Sequence, residues 1–381
     1  MPRSEPVAVI APDKFKGSLT ATKAARAIAE GWRAVYGRRG YTMILVPMAD
    51  GGEGTVEAFV ANGYRRITCA ALDPLGRGVD AAFALDGTTA VVELAAASGL
   101  ARIRERDRDV RFASSAGTGQ LILAALDAGA KTIVVGLGGS ATNDGGVGIL
   151  RTLGVRFYDD NGHDLAPGGA PLARLARIDV SNLDKRVAKT KFVGATDVVH
   201  GLVGPYGATT VFGPQKGATP EDVRELDKAL ERFADVTAAT LGRDVREAPG
   251  SGAAGGAGFA LAAYLNAELR RGAELIGTLC GLPAALARAT ICLTGEGSID
   301  DQTLGGKTIL GVAMLARHAR VPVVAFGGTV TSAAELALRA RGVTCVPIAD
   351  GPGTLEDAIK DGRELLKRAA TRTALLMRGG V

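Results

Sequence analysis

Short apolar runs that stop at glycine and acid punctuate the chain, with helix-period stretches between them. Residues 7–11 form one such run, Val-Ala-Val-Ile-Ala. A run of strand length without polar alternation predicts a strand buried on both faces. It stops at Pro12, Asp13 and Lys14. Ser18 or Thr20 then caps a helix whose apolar positions Ala24, Ala27, Ile28 and Val35 share one face. Residues 43–46 repeat the unit, stop at Ala49, Asp50, Gly51 and Gly52, and lead into a helix from Val56. After about Leu286 the texture returns, with runs at 291–294, 323–326 and 344–348 that end in Gly295-Glu296, Gly327-Gly328 and Ala349-Asp350. Repeated β-loop-α units predict a parallel, doubly wound sheet in an α/β protein.

The middle of the chain is patterned differently. Near Thr68 a period of two sets in at 67–72, 79–85 and 89–93, with turns at Asp73-Pro74-Leu75-Gly76 and Asp86-Gly87. A helix over 120–128 follows Ala116-Gly117-Thr118-Gly119. Residues 166–191 are loop-like, and the apolar run 192–196 leads into Asp197. A turn at 211–218 precedes a helix to about Leu241, and a glycine loop at 249–256 precedes a helix over 259–269. The organisation expected is therefore discontinuous. Residues 1–68 plus 287–381 form the doubly wound domain, 69–286 form an inserted α/β domain, and the active site lies in the cleft between them, at the strand ends.

The stretch TIVVGLGGSATNDGG at 132–146 joins an apolar strand, a glycine turn and the helix-capping types Ser140, Thr142, Asn143 and Asp144. A strand, a glycine turn and a helix start together suit an anion, because unpaired N–H groups and the helix dipole face it. Residues 136–141 also fit the G-x-G-x-x-A dinucleotide fingerprint, with Asp159 or Asp160 at the expected distance. An NAD(P)-dependent dehydrogenase is thus one alternative, and a non-catalytic two-domain binding protein is another. The string Gly305-Gly306-Lys307-Thr308 ends like a P-loop, but Asp301 stands where the leading glycine belongs.

Composition narrows the class. At 381 residues, 47% hydrophobic and 22% charged, the chain is globular and long enough for two domains. A net charge of +5 and 4% aromatics argue against nucleic acid, and the arginines at 102–108 alternate with acids. Cys69, Cys280, Cys292 and Cys345 lie far apart and give no zinc spacing. The first residues carry no long apolar segment, and the run 253–265 is too short to span a bilayer. The expectation is a cytoplasmic protein with no membrane and no nucleic-acid partner, monomeric or homodimeric.

Six blocks in order carry a resemblance: APDKFKGSLTA at 11–21, MADGGEGT at 48–55, GGSATNDGG at 138–146, FGPQKGA at 212–218, GSGAAGG at 250–256 and TGEGSIDDQTLGGKT at 294–308. Over nearly its whole length the chain resembles the bacterial glycerate kinase family that makes 2-phosphoglycerate. The resemblance implies ATP, Mg²⁺ and D-glycerate, and a flavodoxin-like domain carrying an inserted α/β domain. It departs from the family's usual pattern at Ser298, where an arginine is usual, and at His200-Gly201, where Asn-Pro is usual.

The site expected on this basis has three groups of residues. Asp197, Lys16 and Asp50 are the catalytic candidates, with Asp197 as the proton acceptor. Gly138, Gly139, Ser140, Asn143, Asp144, Gly295 and Lys307 hold nucleotide or phosphate. Asp13, Lys14, Ser18 and Lys216 hold substrate, and Asp50 with Glu296 holds the metal.

Overall fold

The strands form three sheets, of five, six and two strands. In the computed structural model, which describes residues 5–37 and 40–379, the strands in chain order are β1 (Val7–Ile10), β2 (Thr42–Leu45), β3 (Arg65–Leu72), β4 (Gly78–Asp86), β5 (Thr89–Glu93), β6 (Thr132–Gly136), β7 (Arg156–Tyr158), β8 (Arg177–Asp179), β9 (Lys191–Ala195), β10 (Glu268–Arg270), β11 (Ile291–Ile299), β12 (Val323–Val330) and β13 (Val343–Pro347). The chain divides into two compact units. One comprises 1–50, 57–62 and 271–381, and the other comprises 51–56 and 63–270.

The first unit is a five-stranded sheet in the order β13-β12-β11-β1-β2, parallel throughout. Counted along this unit alone, the order is that of flavodoxin-like folds, and the winding reverses between β1 and β11. Helices cover both faces. On one face the helices Ala21–Tyr36 and Gly362–Gly379 enclose Ile10, Ile28, Trp32, Leu293, Phe326 and Leu366. On the other, the helix Thr308–His318 packs Ile309 and Val312 against Val9, Cys292 and Ala325. Thr20 caps the first helix by accepting from the Lys23 N–H at 3.3 Å, whereas the Ser18 hydroxyl donates to the Ile359 carbonyl at 2.6 Å. The helix Gly272–Leu279 also belongs to this unit, where Gly277 lies against the Met48 side chain.

The second unit is built on six strands in the order β10-β9-β6-β5-β4-β3. The strands β5, β6, β9 and β10 run parallel, and β3-β4-β5 form an antiparallel meander at one edge. Its core gathers Phe83, Val92, Ile133, Phe233 and Phe259. The helix Pro220–Leu241 opens with a reciprocal cap between Thr219 and Asp222.

Four local expectations change. The helix expected from Gln120 begins at Ala116, so the preceding small residues are helical. The segment 166–191 is not plain loop, because β8 pairs antiparallel with β7. The late helix runs Ala253–Tyr264 and stops short of Leu269, since Asn266 turns left-handed and β10 then pairs with β9. The strand before Asp197 closes at Ala195. Thr196 still donates its N–H to the Arg270 carbonyl at 2.9 Å, and its hydroxyl accepts the Val198 N–H at 3.1 Å as the chain turns away.

The two helices on the first face approach so closely at Gly31 that a Cβ there would strike the Lys367 carbonyl and the Ala370 methyl. Gly31→Val should therefore destabilise the protein by roughly 1–3 kcal/mol through overpacking. A urea midpoint unchanged from wild type would show that the helix pair yields without cost.

Candidate active site

The winding reversal in the first unit sets β1 and β11 side by side, and in open α/β sheets the crevice outside such strand ends is where ligands sit. Ile10 pairs with Leu293. Three residues further on, the two strands deliver Asp13 and Glu296, both buried. The Asp13 carboxylate accepts the Lys14 N–H at 2.6 Å and the Thr308 hydroxyl. The Glu296 carboxylate accepts the Thr303 hydroxyl.

Burial pushes Asp13 up to about 7, and the like charge of Asp50 adds to the rise against the Thr308 and Lys14 bonds. Glu296 is likewise pushed up to about 7, chiefly by burial. The Thr303 bond and the Lys307 charge oppose the rise, while Asp13 and Asp50 add to it. The three acids expected from the sequence are thus electrostatically coupled within one unit. Lys14, Lys307 and Gly295 belong to the same surroundings. Lys16 is exposed, and its backbone lies beside Gly297 in a tight turn where Leu19 N–H donates to the Phe15 carbonyl. Ser18, expected to hold substrate, ties two chain segments together through its hydroxyl bond to the Ile359 carbonyl.

The second unit builds its own carboxyl-end loops. Gly138 N–H donates to the Gly51 carbonyl at 3.0 Å, and a Cβ on Gly136 or Gly138 would strike the Gly51–Gly52 backbone. Only glycine permits this contact. Glu93, at the end of β5, anchors the same 51–56 loop by accepting Gly54 N–H at 3.1 Å and Val56 N–H at 3.0 Å. Ser140 is buried beside Gly99, to which it is bridged.

The helix after this turn is only Val147–Thr152. Its flanking residue is the left-handed Gly146 and not a side-chain cap. Asp144 occupies the free N–H groups instead. It accepts from Gly146 N–H and Gly148 N–H at 3.0 Å each, and from the Ser115 N–H and hydroxyl at 2.8 Å each. So engaged, the Asp144 carboxylate supports the loop from within. The one-and-a-half-turn helix is also too short for the dinucleotide fingerprint, whose helix must carry the pyrophosphate. Asn143 is buried and donates from Nδ2 to the Thr209 hydroxyl at 2.8 Å. Lys216 is 1% exposed, and its ammonium donates to the Thr142 carbonyl at 2.7 Å. The loop thus stands on this lysine, one of the residues expected to hold substrate. Asp197 is half-buried, two residues beyond the end of β9.

Sequence reasoning passed over Glu93, Thr303, Thr308 and Ser115. Glu93 carried the same signal as Asp50 and Glu296, an acid closing an apolar run. The hydroxyls of Thr303 and Thr308 carried none, because only the fold brings them to the acids.

Fold and site together define a doubly wound α/β protein with coupled acids at its switch point, an arrangement of ligand-binding enzymes. Comparison with known proteins specifies it. The profile of the Glycerate kinase family matches residues 8–378. A glycerate kinase of Bacillus subtilis (strain 168) is 44% identical over 95% of each chain, and a glycerate 2-kinase of Escherichia coli (strain K12) is 42% identical over 98% of each. A crystal structure assigned as glycerate kinase 2 from Salmonella typhimurium LT2 superimposes with a TM-score of 0.86 at 43% identity, covering 99% of both chains. The chain belongs to the glycerate kinase family.

The acids make stability depend on pH in a defined direction. Glu296 holds its proton to higher pH in the folded protein than in the unfolded chain, so its contribution is full below about pH 4.5 and is lost as pH rises through about 7. In metal-free buffer, Glu296→Gln should remove part of the stability loss between pH 5 and 8, at most roughly 3 kcal/mol by urea unfolding. A variant that loses as much stability over that range as wild type would show Glu296 to be ordinary.

Proposed function

We propose that this protein transfers the γ-phosphate of ATP to the 2-hydroxyl of D-glycerate, giving 2-phosphoglycerate. Its family and the relative named glycerate 2-kinase support the acceptor and the position of attack. The observation that carries the chemistry is the acid cluster: Asp13 and Glu296 are buried, mutually repelling with Asp50, and pushed up to about 7. Acids in that state fit a divalent cation, whose charge would offset both burial and repulsion.

Among the described residues no three His, Cys, Asp or Glu side chains are grouped to hold a metal by themselves. Mg²⁺ needs only one or two carboxylates beside substrate phosphate oxygens. Asp50 and Glu296 would hold it, and when bound it would neutralise charge on the phosphates.

The remaining steps fall to the chain's own groups. Lys16 and Lys307, with Lys14, supply positive charge for the phosphates or the glycerate carboxylate. Gly138, Gly139 and Ser140 offer backbone to the nucleotide or phosphate. The C2 hydroxyl oxygen attacks phosphorus, Asp197 takes the hydroxyl proton, and the bond from phosphorus to the ADP oxygen breaks.

Purified protein given ATP, Mg²⁺ and D-glycerate should release ADP and a phosphomonoester with the phosphorus resonance of the 2-phosphate, and omission of glycerate or Mg²⁺ should abolish release. Saturable nicotinamide binding without ATP consumption would overturn the reading, and a 3-phosphate resonance would correct its position of attack. In the same assay Asp197→Asn should lower kcat by about 10²–10⁴-fold with little change in ATP affinity. A near-normal kcat in a folded Asp197→Asn protein would remove this residue from the proton transfer.

A further inference from the structure

The turn Pro214–Lys216 ends in a left-handed Gly217, and this geometry drives the Lys216 side chain inward. An ammonium is among the costliest groups to bury. Here burial pushes Lys216 down to about 7, against the pull of Asp144. Its ammonium donates to a backbone atom of the glycine loop, the Thr142 carbonyl. The loop needs such outside ties, because Thr142 Oγ1 and Asn143 Oδ1 are buried without a partner. Two further contacts fix the same residues. The Thr209 hydroxyl accepts from Asn143 Nδ2, and Gly255 packs its backbone so close to the Thr142 carbonyl that a Cβ there would strike it. Asp144, next in sequence, is held by Ser115 and by its own helix start. The segment 142–144 is thus boxed by side chains from three other places in the chain.

We infer that Lys216 is a positioning residue of the kinase: by clamping the Thr142 carbonyl it holds the loop 138–144 in the form that takes phosphate or nucleotide, and it thereby sets affinity more than turnover. The inference rests on the reading that this loop holds such a ligand. A lysine touching the reacting atoms would show itself in kcat, and a lysine of structural value alone would show itself in stability with normal constants per folded molecule. A positioning lysine raises KM.

The test uses Lys216→Met, which keeps the length and loses the donor, and Thr209→Val, which removes the tie on Asn143 and leaves the lysine in place. Both should raise the KM for MgATP or for glycerate, Lys216→Met by about tenfold as expected for losing a charged hydrogen bond, with a smaller fall in kcat. In the ligand-free proteins, amide hydrogen exchange over 138–146 should speed up in both variants while the β1–β11 strands exchange as in wild type. Exchange that is unchanged over 138–146, or a kcat collapse at constant KM, would overturn the inference. If Lys216→Met does not fold, Thr209→Val decides on the same two readouts. Wild-type protein that phosphorylates no glycerate would sink the functional reading alone, since the exchange comparison still decides whether Lys216 holds the loop.

Discussion

The parallel pairing of β1 with β11 is the constraint on which the first unit depends. Ala11 N–H donates to the Leu293 carbonyl at 2.7 Å, Asp13 N–H to the Gly295 carbonyl at 2.9 Å, and the Thr294 hydroxyl to the Ala11 carbonyl at 2.8 Å. These bonds continue the ladder beyond the regular strand and bring Asp13 level with Glu296. A slip of one residue would turn every side chain of β1 to the opposite face and separate the acids. Register therefore sets electrostatics. The apolar runs specify it, since Ile10 and Leu293 face one helical layer and Val9 and Cys292 the other.

The two units treat buried charge in opposite ways. In the second, Asp144 is surrounded by four donors and serves its own backbone. In the first, Asp13 and Glu296 each have a threonine hydroxyl but face one another and Asp50, so part of their cost is left uncompensated. Uncompensated charge at a strand-end crevice marks a place shaped for something other than the protein itself. Satisfied charge marks scaffold. The same distinction separates Lys216, spent on a carbonyl, from Lys16, which is exposed.

Much of this was legible in the sequence because period and punctuation report backbone and burial directly. The runs at 7–11, 291–294 and 323–326 became neighbouring strands of one parallel sheet, and Asp13 and Glu296, just beyond the first two, feel one another's charge. Side-chain direction was not legible. In the sequence Lys216 reads as a substrate contact, and only the fold shows its ammonium buried on the Thr142 carbonyl. Asp144 looked like a ligand group because a capping residue and an anion-site residue share one sequence signature. Thr196 accepts the Val198 N–H on its hydroxyl just past the end of β9, a local turn invisible to hydrophobic period. The strand β10 was missed because its three residues, Glu268 to Arg270, are too few and too polar to show alternation.

The interleaving of the units bears on how the protein is made. The strands β1 and β2 are synthesised early, yet β1 gains its partner only when Ile291 and its successors emerge. At a translation rate of about 5–20 residues per second, the wait is on the order of ten to fifty seconds. Throughout it the nascent chain carries an apolar strand and the half-apolar helix Ala21–Tyr36, whose packing partner Gly362–Gly379 lies still further along the chain than β11. The strands of the intervening unit all precede β11 in the chain, so the acid crevice forms only after that sheet has been made. Until those downstream partners emerge, the strand and the first helix have no cover for their apolar faces, a delay that the interleaved order imposes on every copy translated.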